Sequence, residues 1–163
     1  MFCTECGEKL TLMYATGEGL VPFCKNCGKF MFARFATAVS MVVTNRAKDR
    51  ILLARNVGED DFILFAGYIK KGETAGKAVT REFKEETKLD TVKFKYTSSR
   101  YHEPRNVLML NFIMIAEDGE PVLDENELEE VKWFTFDEAL EAVRKDSTAE
   151  TFLKNALNEI KKF

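Results

Sequence analysis

Three glutamates, Glu82, Glu85 and Glu86, lie in the proline-free stretch 74–87, which follows a loop containing Gly67 and Gly72. Ala75, Ala78, Val79 and Phe83 recur at spacings of three and four, the pattern of one buried helical face. At about 100° per residue, Glu82 and Glu86 fall on that side and Glu85 at its edge, whereas Lys77, Lys84 and Lys88 fall opposite. Two like charges four residues apart cost an isolated helix a few tenths of a kcal/mol. Of the three, only Glu85 has cationic helical neighbours, Arg81 and Lys88, so something positive is expected beside Glu82 and Glu86. A divalent cation answers that need, and closely spaced carboxylates suit Mg²⁺ or Mn²⁺, which also bridge to phosphates. The alternative is a solvated acidic surface helix.

The second group able to do chemistry is sulfur. Cys3, Cys6, Cys24 and Cys27 form two Cys-x-x-Cys pairs with 17 residues between them, the spacing of a zinc ribbon. Gly7 and Gly28 follow the pairs and let the chain turn so that both thiolates of a knuckle face one ion. Four thiolates would make a closed, structural Zn²⁺ site; two disulfides are the other reading. The single histidine, His102, is not needed as a ligand.

The elements that must position these groups follow from the rest of the chain. With 163 residues there is room for one cored domain and a small appendage. A net charge of −3 argues against a broadly basic nucleic-acid surface. No apolar run approaches membrane-spanning length and no signal pattern opens the chain, so no membrane partner and a cytoplasmic location are expected. Residues 1–34 read as the ribbon, too few to hold a core without metal. Phe30, Met31, Phe32 and Phe35 read as packing, or as a ring, Phe32, facing a substrate base. Strands are expected at 36–43, 51–55, 62–65, around 92–96, at 107–116 (buried on both faces) and at 131–134. Thr135 and Ser147, each three residues before a glutamate, have the capping-box form that opens helices.

The stretch 67–89 resembles the Nudix box. Gly67, Glu73, Arg81, Glu82, Phe83, Glu85, Glu86 and Leu89 fit its pattern, and only its late glycine is replaced, by Lys88. A pattern with so many fixed charged positions is far more specific than a short motif. A four-cysteine ribbon directly before such a box is similar to the NADH pyrophosphatases. The resemblance implies an α/β fold, the Nudix α/β/α sandwich with a mixed sheet, with the ribbon at 1–34 and the hydrolase domain at 35–163. It implies Zn²⁺ on Cys3, Cys6, Cys24 and Cys27. It also implies catalytic Mg²⁺ or Mn²⁺ on Glu82, Glu86, the Ala66 carbonyl and Glu127, with Glu85 as ligand or base. Met109 with Leu108 and Leu110 resembles the strand after the substrate loop, and Ala149 a small residue beside the substrate. Homodimerisation is implied by the resemblance alone.

The chain departs from the family where the substrate is gripped. Members carry Ser-Gln-Pro-Trp-Pro-Phe-Pro where this chain has Ser99-Arg100-Tyr101-His102-Glu103-Pro104-Arg105. Lys70 stands where glutamate is common, and the extra N-terminal domain of many members is not expected here. Arg100, Tyr101, His102 and Arg105 still suit phosphates and a base, although an ordinary polar loop would look the same. The expected activity is metal-dependent hydrolysis of a pyrophosphate in a nucleotide, with Gly67, Glu73 and Arg81 bracing the site. NADH or NAD, an NAD-capped RNA end and ADP-ribose are the candidate substrates, and a non-catalytic nucleotide-sensing or nucleic-acid-binding module is the rival class.

Overall fold

The computed structural model describes residues 1–123 and 128–163. It divides into two compact units, Met1–Phe35 and Ala36–Phe163. In the smaller, β1 (Thr11–Ala15), β2 (Gly19–Cys24) and β3 (Lys29–Phe30) form an antiparallel sheet. Phe23 packs edge-on against Phe30, 5.0 Å between ring centres.

The larger unit is built on a mixed sheet, with β4 (Ala36–Thr44) near its centre. The other strands are β5 (Ile51–Asn56), β6 (Phe65–Tyr68), β7 (Thr91–His102), β8 (Val107–Ala116) and β9 (Leu128–Phe134), in the order β7-β8-β4-β5-β9. β6 pairs with β4 beside β5; β4 and β8 run parallel, and the other pairings are antiparallel. Strand alternation splits the core in two. Val39, Met41, Val43, Phe112 and Met114 pack with Ala78, Val79 and Phe83 of α1 (Ala75–Thr87) on one face. Val42, Leu53 and Ile113 pack on the other with α2 (Phe136–Ala142) and α3 (Thr148–Ile160), through Ala139, Phe152, Leu153 and Ala156. Among the described residues no helix is long and apolar enough to cross a membrane.

Three expectations are corrected. The strand at 62–65 begins only at Phe65 and runs on through Gly67, because its partner is β4; Phe62 and Ile63 form isolated bridges. An unbroken apolar run carries no register signal of its own. The segment taken as a substrate loop is mostly strand: β7 reaches His102, and Glu103–Arg105 is a single 3-10 turn. β7 is an edge strand with little burial, and beyond Tyr96 it shows no apolar alternation to read. β8 is continuously buried only from Phe112 onward; residues 108–111 are half-buried, and of these Met109 and Asn111 border a cavity.

The helix caps follow the sequence more closely. Thr74 caps α1 by accepting from the Lys77 amide, and Thr135 and Glu138 form a complete capping box. Ser147 accepts from the Glu150 amide, but Glu150 turns instead to the Asp146 amide at 2.9 Å, so the second box is only half made. Lys88, at the position of the missing box glycine, takes the left-handed conformation at φ 59° to end α1. That costs a residue with a β-carbon about 1 kcal/mol. Lys88→Gly is therefore expected to raise stability by about 0.5–1 kcal/mol, read as a higher denaturant midpoint at unchanged slope.

Candidate active site

The site grows from a single close approach. On β6, Gly67 faces α1, and a β-carbon there would lie 2.0 Å from Cδ and 2.4 Å from Cγ of Glu82. Glycine is needed here for space. The Glu82 side chain is in consequence only 14% exposed, whereas Glu85 is 54% exposed and points outward.

Arg81 holds the group together. Its Nε donates to Glu73 Oε1 at 2.7 Å and its Nη2 to Glu73 Oε2 at 2.8 Å, a two-pronged pair. Nη1 donates to Glu82 at 2.6 Å and to Glu85 at 2.9 Å, and Nη2 also reaches the Tyr68 carbonyl at 3.1 Å. The expectation that Glu82 lacks a cationic neighbour is thus corrected: adjacent residues of a helix do not face each other, but long side chains curling toward β6 meet there. Hydrogen bonds from Arg81 and from the Lys70 amide hold the Glu73 carboxyl down at about 2, and the pairing with Glu73 raises the Arg81 guanidinium. Lys70 lies 3.7 Å from Glu85. Glu86, one turn beyond Glu82, is half-buried. Paired carboxylates on one helical face are the donor chemistry that Mg²⁺ or Mn²⁺ takes, and in that respect the residues fit such an ion. Glu127 lies outside the described residues.

The other face of β6 borders a cavity of about 550 Å³. Ala66, Gly67 and Tyr68 line it, so β6 is a wall shared between the cavity and the carboxylates. Arg100, His102 and Arg105 line it too, and so do Met109 and Ala149. Tyr101 does not: strand alternation turns it to the opposite face, and its hydroxyl donates to Asn106 Oδ1 at 2.6 Å. Leu108 and Leu110 alternate with Met109 in the same way. Phe32 is 57% exposed in the smaller unit, its ring 6.5 Å from that of Phe30.

Several lining residues had no sequence reading, notably Ser40, Asn111, Arg144 and Thr148. Arg144 is tied to Asp61 at 3.2 Å and to Glu59. The Ser147 cap was the available signal for part of this set, because a helix start offers free amides to anions.

In the smaller unit the four thiols converge, their sulfurs all within 4.8 Å of one another. Cys3 and Cys27 are 3.9 Å apart and Cys6 and Cys24 3.5 Å. A tetrahedral Zn²⁺ with Zn–S bonds of about 2.3 Å requires sulfurs about 3.8 Å apart, so the four fit zinc. All four are free thiols rather than disulfides. Gly7 and Gly28 have φ of 77° and 66°, as the knuckle turns need. A hydrogen bond with Asn26 holds the Cys6 thiol down at about 6, while sharing with Cys6 pushes Cys27 up to about 12.

The chain matches the NUDIX domain over residues 34–155. It belongs to the Nudix family. Among curated proteins it is 30% identical over 139 residues to the NAD-capped RNA hydrolase NudC of Salmonella heidelberg (strain SL476), covering 84% of this chain and 52% of that protein. It is 31% identical over 138 residues to the protein of the same name from Pseudomonas aeruginosa (strain LESB58), covering 83% and 48%. The chain thus spans about half the length of these relatives. A NUDIX hydrolase from Nitrosomonas europaea shares the fold at a TM-score of 0.64 and 18% identity, over 97% of this chain and 90% of that one. The NUDIX domain of Shewanella oneidensis NrtR, solved with ADP ribose, does so at 0.67 and 13% identity, over 85% and 94%.

Two outcomes test this geometry. Gly67→Ala should force Glu82 from its seat and lower any catalytic rate by about a hundredfold or more, since a misplacement of about 1 Å costs that much. Circular dichroism should remain that of the native fold. For Glu73→Gln, the lost stability should be full above about pH 4.5, the ordinary carboxyl value, and vanish as pH falls toward about 2. Melting temperatures of wild type and variant should therefore converge across that window.

Proposed function

We propose that the protein is a divalent-metal-dependent pyrophosphohydrolase acting on a nucleotide of the NADH or NAD type, with AMP and a mononucleotide as products. The observation that carries this reading is the shared wall: Gly67 lines the cavity and seats Glu82 on its other face. A diphosphate held in the cavity would lie beside the carboxylates across β6, and Arg100, His102 and Arg105 offer donors and positive charge to its oxygens. The relatives named NAD-capped RNA hydrolase support a substrate with the same linkage, including an NAD-capped RNA end.

Glu82 and Glu86, with the Ala66 carbonyl and Glu127, would hold Mg²⁺ or Mn²⁺. Such an ion, when bound, neutralises the phosphate oxygens and makes the attacking water more acidic. Glu85 is the exposed carboxylate of the set and, like Glu127, a candidate to accept the proton as water attacks phosphorus and the bridging P–O bond breaks. Arg81 is a positioning residue: it orients Glu82 and Glu85 and is itself fixed by Glu73. Cys3, Cys6, Cys24 and Cys27 would hold a structural Zn²⁺, and free thiols accord with a cytoplasmic location.

A second reading, ADP-ribose as the preferred substrate, is favoured by residues 99–105, where the family's run of prolines and aromatic residues is largely gone. Purified protein incubated with NADH and Mn²⁺ should yield AMP and reduced nicotinamide mononucleotide on chromatography. Glu86→Gln should fall by a factor on the order of a hundred or more with its fold intact. Products from ADP-ribose alone would select the second reading. Turnover of neither would leave a nucleotide-sensing module.

A further inference from the structure

Pyrophosphate chemistry does not use one feature of the cavity, a polar pair in its floor. β4 and β8 are largely apolar strands, and each contributes one polar residue to the cavity lining, Ser40 in Ala-Val-Ser-Met-Val and Asn111 in Met-Leu-Asn-Phe-Ile. The parallel register sets the two side by side. Ser40 is only 8% exposed, and it lines the cavity. A hydroxyl at the border of a cavity can both donate to and accept from a ligand that enters it. Asn111 Nδ2 donates to Ser98 Oγ at 3.2 Å, across on β7. One donor and one acceptor of that amide remain for a ligand. Around them the wall is apolar, with Ala38, Leu64, Val107, Met109 and Phe152. An apolar slot with a few convergent polar groups is how proteins recognise flat heterocycles.

We propose that Ser40 and Asn111 are specificity-determining residues, which hydrogen-bond the edge of the substrate's ring system where an N–H donor lies next to an acceptor. A carboxamide complements that edge with two bonds, as asparagine does with adenine. Adenine and the nicotinamide carboxamide both present it. The inference rests on reading the cavity as the nucleotide site, but not on hydrolysis. Replacing the amino group by an oxo or carboxylate oxygen puts acceptor against acceptor and leaves a buried group unpaired.

Calorimetry on the full chain separates the two sources. AMP is compared with inosine monophosphate, and nicotinamide mononucleotide with its nicotinate analogue; none of the four contains a pyrophosphate to cleave. Wild type should prefer the amino or amide member of one pair by about tenfold or more, and that pair identifies the ring in the slot. Asn111→Leu should reduce the preference below about threefold, with Ser40→Ala, which removes a single oxygen atom, intermediate. In turnover, both variants should raise KM for the preferred substrate with kcat little changed, a split that loss of folding would not produce. Equal affinities within both pairs, or a preference that survives both substitutions, would overturn the proposal and leave a bridging water as the occupant of the polar floor. A clear preference without hydrolysis of any diphosphate would remove the pyrophosphohydrolase reading and leave this one standing.

Discussion

Glu82 occupies the space that a side chain at residue 67 would fill, and from that contact much of the larger unit follows. It sets how closely α1 can approach β6, and so whether the carboxylates of the helix can lie beside the cavity. Gly67 does not have a positive φ, so backbone freedom is not the reason for its presence. Gly72, in the turn that follows β6 and with φ of 83°, is the position where conformation demands glycine. The strand glycine and the turn glycine therefore answer different constraints, one of volume and one of torsion.

Charge distribution depends on the same contact. Arg81 reaches three glutamates at once, so the acidic helix is partly neutralised before any ion arrives. Since Arg81 is anchored to Glu73 by two bonds, Glu82 and Glu85 are held in place by a fixed cation rather than by a mobile one. Pre-organised carboxylates lose less freedom when they take up a ligand.

The acidic helix was legible in the sequence because its period of 3.6, its threonine cap and its unusual charge spacing all agree. The cysteine cluster was legible from spacing alone. What failed were features settled by partners distant in sequence. The apolar run at 62–65 gives no hint of which residues pair with β4, and edge strand β7 shows serines, arginine and tyrosine that suit a loop equally well. Ser40 and Asn111 carry no sequence signal of their own, because a single polar residue in an apolar strand is visible only as an interruption. Their adjacency exists only in the register of β4 on β8.

That register has a consequence for how the molecule comes into being. Ala36 pairs with Val107 and Thr44 with Ile115, so the two central strands are joined across roughly seventy residues of chain, which include the whole acidic helix. Parallel pairing at such separation requires closing a large loop before any contact rewards it, and chains of this topology fold slowly. On the ribosome, α1 can form early from local bonds, but the cavity floor has no existence until β8 has emerged. Until then β4, a nine-residue strand of mostly buried side chains, has its natural neighbour still unmade, and this is the interval in which the nascent chain is most exposed to aggregation.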